Sequence, residues 1–345
     1  MESTVIAVDL AKSVFEIGVS HQPGKVAERH RVSRSRFLRF FAERTPATVV
    51  MEACGSASYW ARRLRELGHA PVLLPPQHVR PYRRGNKTDR SDVKALLEAY
   101  RDEEILPVPP KSPLQQTLAA LHRLRSAWLA ARTARINTVR GILRELGVVI
   151  PQGARQVVPR VWALLEDAES PLSDALRPVL AEACQEIRDF QARIKAVEQQ
   201  LEQLAEQTPV VARLRTIPGV GLLIATALVA FVGDVQRFPS GRHLASYLGL
   251  TPREHSSGAV RRLGRISKRG DSYLRTLLIH GGRSVLLAAT RTKDPDRLRH
   301  WAVELQGRSG HNKTAVALAN KIARISWAVW RNGSEYQAAP VAIAA

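Results

Sequence analysis

Cysteine, acidic side chains and long apolar runs are all scarce in this chain, and each scarcity removes a class of protein. Only Cys54 and Cys184 occur among 345 residues. They are too few and too far apart for a disulfide framework or a zinc site, and both read as plain buried thiols. No apolar stretch reaches the roughly 20 residues that span a bilayer, and the N-terminal residues lack the pattern of a secretory signal. Neither a lipidation site nor a basic amphipathic helix of the membrane-surface type is present, so a cytoplasmic protein with no membrane partner is expected. Repeats and low-complexity segments are missing apart from a short Ala-rich tail. Acidic residues number 31 against 52 Lys plus Arg, which leaves a formal net charge of +21. With membranes set aside, nucleic acid is the polyanion such a surface is expected to meet.

Apolar residues make up 45% of the chain and charged ones 24%, proportions of a folded rather than a disordered protein. The pattern predicts α/β plus all-α architecture in three regions. Residues 1–107 alternate strands, at 5–9, 15–19, 47–52 and 71–74, with helices at 34–44 and 59–68, the second ending at Gly68. The mostly apolar first strand, VIAV, argues for a sheet covered by helices. Pro107, Pro109, Pro110 and Pro113 then mark a linker. Residues 108–210 read as long helix. The stretch 114–146 is apolar on one side but carries Arg125, Arg132 and Arg135 within its stripe. Further on, Leu180, Ala183, Ile187, Phe190, Ile194, Val197, Leu201 and Leu204 recur at alternating spacings of three and four, the seam of a coiled coil. That seam is expected to join two copies of the protein, the alternative being an intrachain helical hairpin. Residues 211–345 are expected to be mainly helical, with a helix pair at 272–289 and 312–330. They open near IPGVG, where Pro218, Gly219 and Gly221 make a turn in the style of a helix-hairpin-helix. The amides of Gly219 and Gly221 can approach a DNA phosphate in such a turn.

Four acids stand out. Asp9 closes the first strand and Glu52 closes a later one, so both carboxylates are expected at an edge of the sheet rather than in its core. In NKTDRSDVKALLEAY, Asp89 and Asp92 stand three apart at the start of a helix, on one face. Taken singly each is as well explained structurally, Asp89 as a cap and Asp92 as a first-turn acid. Converging carboxylates would repel one another unless a cation held them, and hard oxygen ligands suit Mg²⁺ or Mn²⁺. Two such ions can activate the attacking oxygen and stabilise the leaving one at a phosphodiester. Arg80, Arg83, Arg84, Lys87 and Arg90 lie just before or among the acids and are placed to hold phosphates.

The order Asp, Glu, Asp-x-x-Asp, carried by VDLAKS, MEACGS and NKTDRSD and followed by IPGVG, GLTP, SSG and GRISKRG, resembles the DEDD transposases of insertion sequences, the bridge-RNA-guided recombinases. The resemblance covers both ends of the chain; the helical middle matches only in character. It implies an RNase H-like, RuvC-like first domain similar to that of Holliday-junction resolvases. In that domain Asp9, Glu52, Asp89 and Asp92 would hold the metal. It implies a serine nucleophile in the C-terminal region, which the GLTP and Ser-Gly landmarks place on Ser257, with Ser256 adjacent and Ser267 in a similar stretch. It also implies a homo-oligomer, dimer or tetramer, in which the acids of one protomer face the serine of another, and a structured RNA that pairs with donor and target DNA. Arg253, Arg261, Arg262, Arg265, Lys268, Arg269 and Arg275 surround Ser257 and are expected to contact phosphate. Three rival readings remain: an actin-like sugar kinase, which would need glycine-rich phosphate loops absent here; a simple resolvase or nuclease, which would not need Ser257; and a non-catalytic nucleic-acid scaffold.

Overall fold

Alternation in the first strand decides what covers the sheet. In β1 (Val5–Asp9) successive side chains leave on opposite faces. Ile6 and Val8 enter one buried cluster, while Ala7, with Val5 against it, belongs to another. A strand buried on both sides belongs at the centre of a sheet, and β1 lies there. β2 (Val14–Ser20) runs antiparallel to it and β3 (Glu28–Ser33) antiparallel to β2, while β4 (Thr48–Glu52) and β5 (Ala70–Leu74) run parallel to β1 on its other side. The order is β3-β2-β1-β4-β5.

We describe this fold from a computed structural model, covering residues 4–22, 25–83, 88–292 and 296–338, the side chain of Asp89 excepted. It separates into two units, 1–114 and 115–345.

In the first unit, one face of the sheet is closed by α1 (Phe37–Ala42) and α2 (Ala57–Glu66) through Phe15, Phe37, Phe41 and Trp60. Phe15, Phe37 and Trp60 meet edge to face at centroid distances of 4.8–5.4 Å. Beyond the short α3 (Pro76–Val79), α4 (Asp89–Tyr100) closes the other face with Val93, Leu96 and Leu97. Its start is fixed by a capping box: Ser91 N donates to Thr88 Oγ1 at 3.2 Å and Thr88 N to Ser91 Oγ at 3.0 Å. Thr88 is therefore the cap, and Asp89 is the first helical residue.

α4 lies close to the sheet because β2 carries glycine where they meet: a Cβ on Gly18 would stand 2.5 Å from Val93 Cγ1. Gly18→Ala is expected to cost about 1–3 kcal/mol through overpacking, read as a lowered thermal midpoint, and Val93→Ala in the same chain should recover part of it. Recovery of nothing would place the strain elsewhere.

Among the described residues the second unit is helical apart from one hairpin. α5 (Pro113–Glu145), α6 (Val157–Glu166) and α7 (Leu176–Glu206) make its long part. α8 (Pro209–Arg215), α9 (Leu222–Val232) and α10 (Gly241–Tyr247) follow. Then come strands β6 (Pro252–Glu254) and β7 (Leu263–Ile266), and α11 (Ser272–Ala289), α12 (Arg297–Ser309) and α13 (His311–Asn332).

Much of the apolar seam of α7 packs within the chain. Leu180, Cys184 and Ile187 pack with Ile136, Val139 and Leu143 of α5 and with Val157, Val161 and Leu164 of α6. Val197 and Leu201 join Leu118 and the C-terminal helices. The arginines inside the stripe of α5 reach across to α7: Arg125 pairs with Glu198 at 2.8 Å, Arg135 with Glu186, and Arg132 donates to Gln191. α5 and α7 also enter the same core as α8–α13, on both sides of the expected split at 210/211.

Two smaller expectations also change. Cys184 is buried, but Cys54 is exposed, in the turn between β4 and α2. Strand β3, missed in the sequence, is the charged edge ERHRVS. Among the described residues no helix is long and apolar enough to cross a membrane.

Candidate active site

Asp9 and Glu52 are the last residues of neighbouring parallel strands, with Val8 paired to Met51 just before them. Both carboxylates therefore leave the sheet at the same edge. Alternation also fixes their face: Ala7 and Val50, two residues earlier, belong to the cluster under α4, so Asp9 and Glu52 lie on the α4 side. Asp92 sits on α4 itself, one residue before the Val93 that packs against Gly18. Two of the four predicted acids thus share the sheet face that α4 covers, and a third is on α4 itself. Asp89 begins α4, but its side chain lies outside the described residues, as do Arg84 and Lys87.

Glu16 is an acid that sequence reasoning missed. It pairs with Asp9 across β1 and β2, and its neighbours Phe15 and Ile17 belong to the opposite cluster, which puts Glu16 on the α4 side too. The alternation in VFEIGVS carried that signal, although the register that sets it beside Asp9 did not show.

The carboxylate of Asp92, only 15% exposed, forms an ion pair with Arg83. Arg83 in turn is held by the residue before it: Tyr82 donates to Asp102 Oδ2 at 2.5 Å. That bond lowers the Asp102 carboxyl and raises the Tyr82 phenol from their ordinary pKa values. Among the described residues, no three His, Cys, Asp or Glu gather closely enough to hold a metal ion. What fits a divalent ion is the donor set, all carboxylate oxygen, and its placement, with a half-buried acid that already carries a cationic partner.

Beside the acids is a cavity of about 380 Å³ lined by Glu16, Arg29, His30, Arg31, Thr88 and Arg90. Arg29 and Arg31, on the edge strand, add to the cations foreseen. Arg90 is exposed, and its carbonyl accepts from Arg29 Nη1 at 3.5 Å. Arg80 is exposed in the turn after α3. His30 lies 2.8 Å from Glu28 and Arg44 3.2 Å from it; the His30 bond is the larger cause holding the Glu28 carboxyl below its usual range.

In the second unit Ser257 lies at the tip of the β6–β7 hairpin. It exchanges backbone bonds of 3.2 Å with Val260 in both directions around Gly258 and Ala259. Gly258 takes φ +57°, a left-handed conformation suited to so tight a turn. The three candidate serines differ in what engages them. Ser256 Oγ donates to Glu254 at 2.7 Å and accepts from Arg262 N at 3.2 Å. Ser267 is half-buried, its N–H on Thr251 O at 2.8 Å. Ser257 is exposed, and its hydroxyl has no partner among the described residues.

Arg253, Arg261, Arg262, Arg265, Lys268 and Arg269 are all exposed along this hairpin and the turn after it. Arg261 lies 3.5 Å from Glu254, and Arg253 donates to Ser267 O at 3.3 Å. Arg275 differs: it is half-buried on α11 and bonds Leu248 O and Arg269 O at 3.3 and 3.1 Å, which ties the turn down. Gly219 also has a packing reason. A Cβ there would come within 2.6 Å of Gly281 O on α11. Gly221 is exposed at the start of α9, with open space around it.

A family model described as transposase, of the DEDD type named for IS110, matches residues 6–148, and one described as the IS116/IS110/IS902 transposase family matches residues 211–299. The probable family 20 transposase of Pseudomonas aeruginosa is 42% identical over 95% of this chain and 97% of its own length. The chain belongs to the IS110 family of DEDD transposases. The transposase for insertion sequence element IS1111A of Coxiella burnetii is 37% identical, over 96% of this chain and 91% of its own. The pilin gene-inverting protein of Moraxella lacunata is 24% identical, over 97% and 98%. For this transposase the mixed sheet is consistent with an RNase H/RuvC-like DEDD domain. DNA is its substrate class, and the domain type suggests a divalent metal. The first match spans Asp9, Glu52, Asp89 and Asp92, and the second spans Ser257.

Proposed function

We propose that the chain cuts and rejoins DNA strands at the ends of an insertion sequence, with Asp9, Glu52, Asp89 and Asp92 as metal ligands and Ser257 as nucleophile. The observation that carries this is the placement of Asp9 and Glu52 at the ends of adjacent parallel strands, on the face covered by the helix that bears Asp92. A divalent ion, Mg²⁺ or Mn²⁺, bound there supplies Lewis-acid stabilisation of charge on phosphate oxygens. The protein supplies the rest. Ser257 Oγ attacks phosphorus and gives up its proton. The bridging P–O bond of the strand breaks, and the departing sugar oxygen gains a proton. The strand is then held as a serine phosphodiester, and the hydroxyl of the new strand reverses the step to rejoin it. Six exposed cations on the hairpin and its following turn, with Arg80 and Arg90, hold the backbone on either side.

Two features support exchange over hydrolysis. Ser257 is exposed at a hairpin tip, with a hydroxyl not tied to a neighbour among the described residues. A relative spanning nearly the whole chain is named for inverting a gene, and inversion requires strands to be cut and resealed. The family resemblance further supports a structured guide RNA that pairs with both DNA partners, and a dimer or tetramer in which Ser257 of one protomer works with the acids of another.

The test is to incubate the protein with element-end DNA, the cognate RNA and Mg²⁺, denature, and look for a protein–DNA adduct. Wild type should give one, and Ser257→Ala and Asp9→Asn should give none. An adduct that survives Ser257→Ala moves the nucleophile to another residue. Hydrolytic cuts with no adduct make the protein a nuclease.

A further inference from the structure

A cleft in the second unit shares Arg265 and Lys268 with the hairpin cations above, and the rest of its lining has no part in that chemistry. It has a volume of about 1000 Å³ and lies between the β7 strand and helices α11, α12 and α13. Ile279, Val316, Ala317 and Trp301, all half-buried, supply apolar lining. Arg265, Lys268, Lys313, Lys321 and Arg324 also line it, all but Lys321 exposed, and no carboxylate is among the lining residues. A cleft lined by half-buried apolar side chains and by exposed cations suits a ligand with a flat apolar body and a negative charge.

Lys321 shows the same need. Its ammonium lies 4.0 Å from the centroid of the Trp301 ring, a cation–π contact. Burial lowers its pKa, and Arg297 and Arg324 nearby lower it further. A charge crowded by like charges and resting on a ring face would gain from any phosphate that reached it. When it moved to that phosphate it would uncover the ring for stacking. The cleft also adjoins the proposed chemistry in sequence and space, because Gly264, Arg265 and Ile266 in its lining belong to the hairpin that carries Ser257.

We propose that this cleft receives an unstacked nucleotide of a single-stranded DNA segment, its base against Trp301 and the apolar lining and its phosphate on Lys321 and Arg324. The choice of DNA rests on the strand-exchange reading, since exchanging strands must pass through unpaired segments. Stacking on an aromatic ring beside a basic track is the general means of holding such segments without reading their sequence.

The experiment is a titration of the full chain, with EDTA present, against a single-stranded DNA oligonucleotide containing 2-aminopurine. The same sequence as a duplex and as single-stranded RNA provides the comparison. Single-stranded DNA should bind more tightly than either, with quenched fluorescence from the stacked base. Trp301→Ala should weaken it by roughly ten-fold or more, the order of one lost base–aromatic stack, and leave duplex binding alone. Trp301→Phe should restore most of the affinity, which separates stacking from a loss of folding. Lys313→Glu, an exposed change that leaves the core untouched, should weaken single-strand binding and reduce its salt dependence. Equal losses for duplex and single strand, or none in Trp301→Ala and Lys313→Glu, overturn the proposal, and preference for RNA overturns its choice of occupant. Because binding is measured without metal and can be repeated in Ser257→Ala, it stands or falls separately from the adduct test.

Discussion

Asp9→Asn is expected to slow strand cleavage by about 10³-fold or more while leaving DNA affinity and folding nearly unchanged. Asparagine keeps the size and shape of the side chain, and Asp9 closes a strand at a half-buried edge instead of filling the core, so a stability change of about 1 kcal/mol or less is expected. What is lost is charge. An amide oxygen is a weak ligand for a hard divalent cation, and the ion's stabilisation of transition-state charge is worth several kcal/mol. At 1.36 kcal/mol per factor of ten, roughly three orders of magnitude follow. Glu52→Gln should do the same, since Glu52 occupies the corresponding position on the next parallel strand. The checks are single-turnover cleavage at saturating Mg²⁺, binding by electrophoretic mobility, and thermal melting. If affinity fell in parallel with cleavage, the acid would be shaping the binding surface; if cleavage persisted, these carboxylates would not hold the metal.

Much of that site could be read from the sequence because it rests on local rules. VIAV demanded a central strand and so put Asp9 at its end; TVVM did the same for Glu52; and TDRSD at the head of an apolar-periodic segment marked a capped helix. The parts that stayed hidden depend on pairing between distant segments. Edge strand β3 carries one apolar residue, Val32, in ERHRVS, and becomes a strand through its register with β2. β6 and β7 are short and largely exposed, with no buried face to print a pattern on the sequence. Arg83 was foreseen as a phosphate ligand, and its ion pair with Asp92 is tertiary. The seam of α7 shows the same limit in another form. A repeat of threes and fours tells that a helix has a partner, and it does not tell whether the partner is a second copy or, as here, α5 and α6 of the same chain.

The second unit is expected to lose about 3 kcal/mol of stability as pH falls from 6.5 to 4, and the cause is one histidine. His122 is fully buried on α5. Its Nδ1 lies 2.9 Å from Tyr273 Oη and its Nε2 3.0 Å from Thr226 Oγ1. Thr226 spends its own proton on Leu222 O at 2.6 Å, so it can only accept, and Nε2 must donate to it. Nδ1 is then the acceptor of the Tyr273 hydroxyl. Burial raises the Tyr273 pKa and keeps that hydroxyl protonated. The relay therefore runs one way, from Tyr273 through neutral His122 and Thr226 to a backbone carbonyl. A second ring proton would break it, and would add a buried charge near Arg125. Burial first, and Arg125 second, push the pKa down to about 4 from an ordinary 6.5. The unfolded chain thus takes up a proton between those values that the folded chain refuses, and stability present above pH 6.5 drains away toward pH 4. A gap of about 2.5 pH units corresponds to about 3 kcal/mol at 1.36 kcal/mol each. Five of the six tryptophans lie in this unit, so urea unfolding followed by tryptophan fluorescence reports on it directly. His122→Gln keeps a donor and an acceptor but cannot titrate. It should be less stable than wild type at pH 8, where the relay is intact, and should show a clearly shallower decline between pH 6.5 and 4. An equal decline in both chains would mean that other groups, the carboxylates of the α5–α7 ion pairs first among them, set the acid sensitivity.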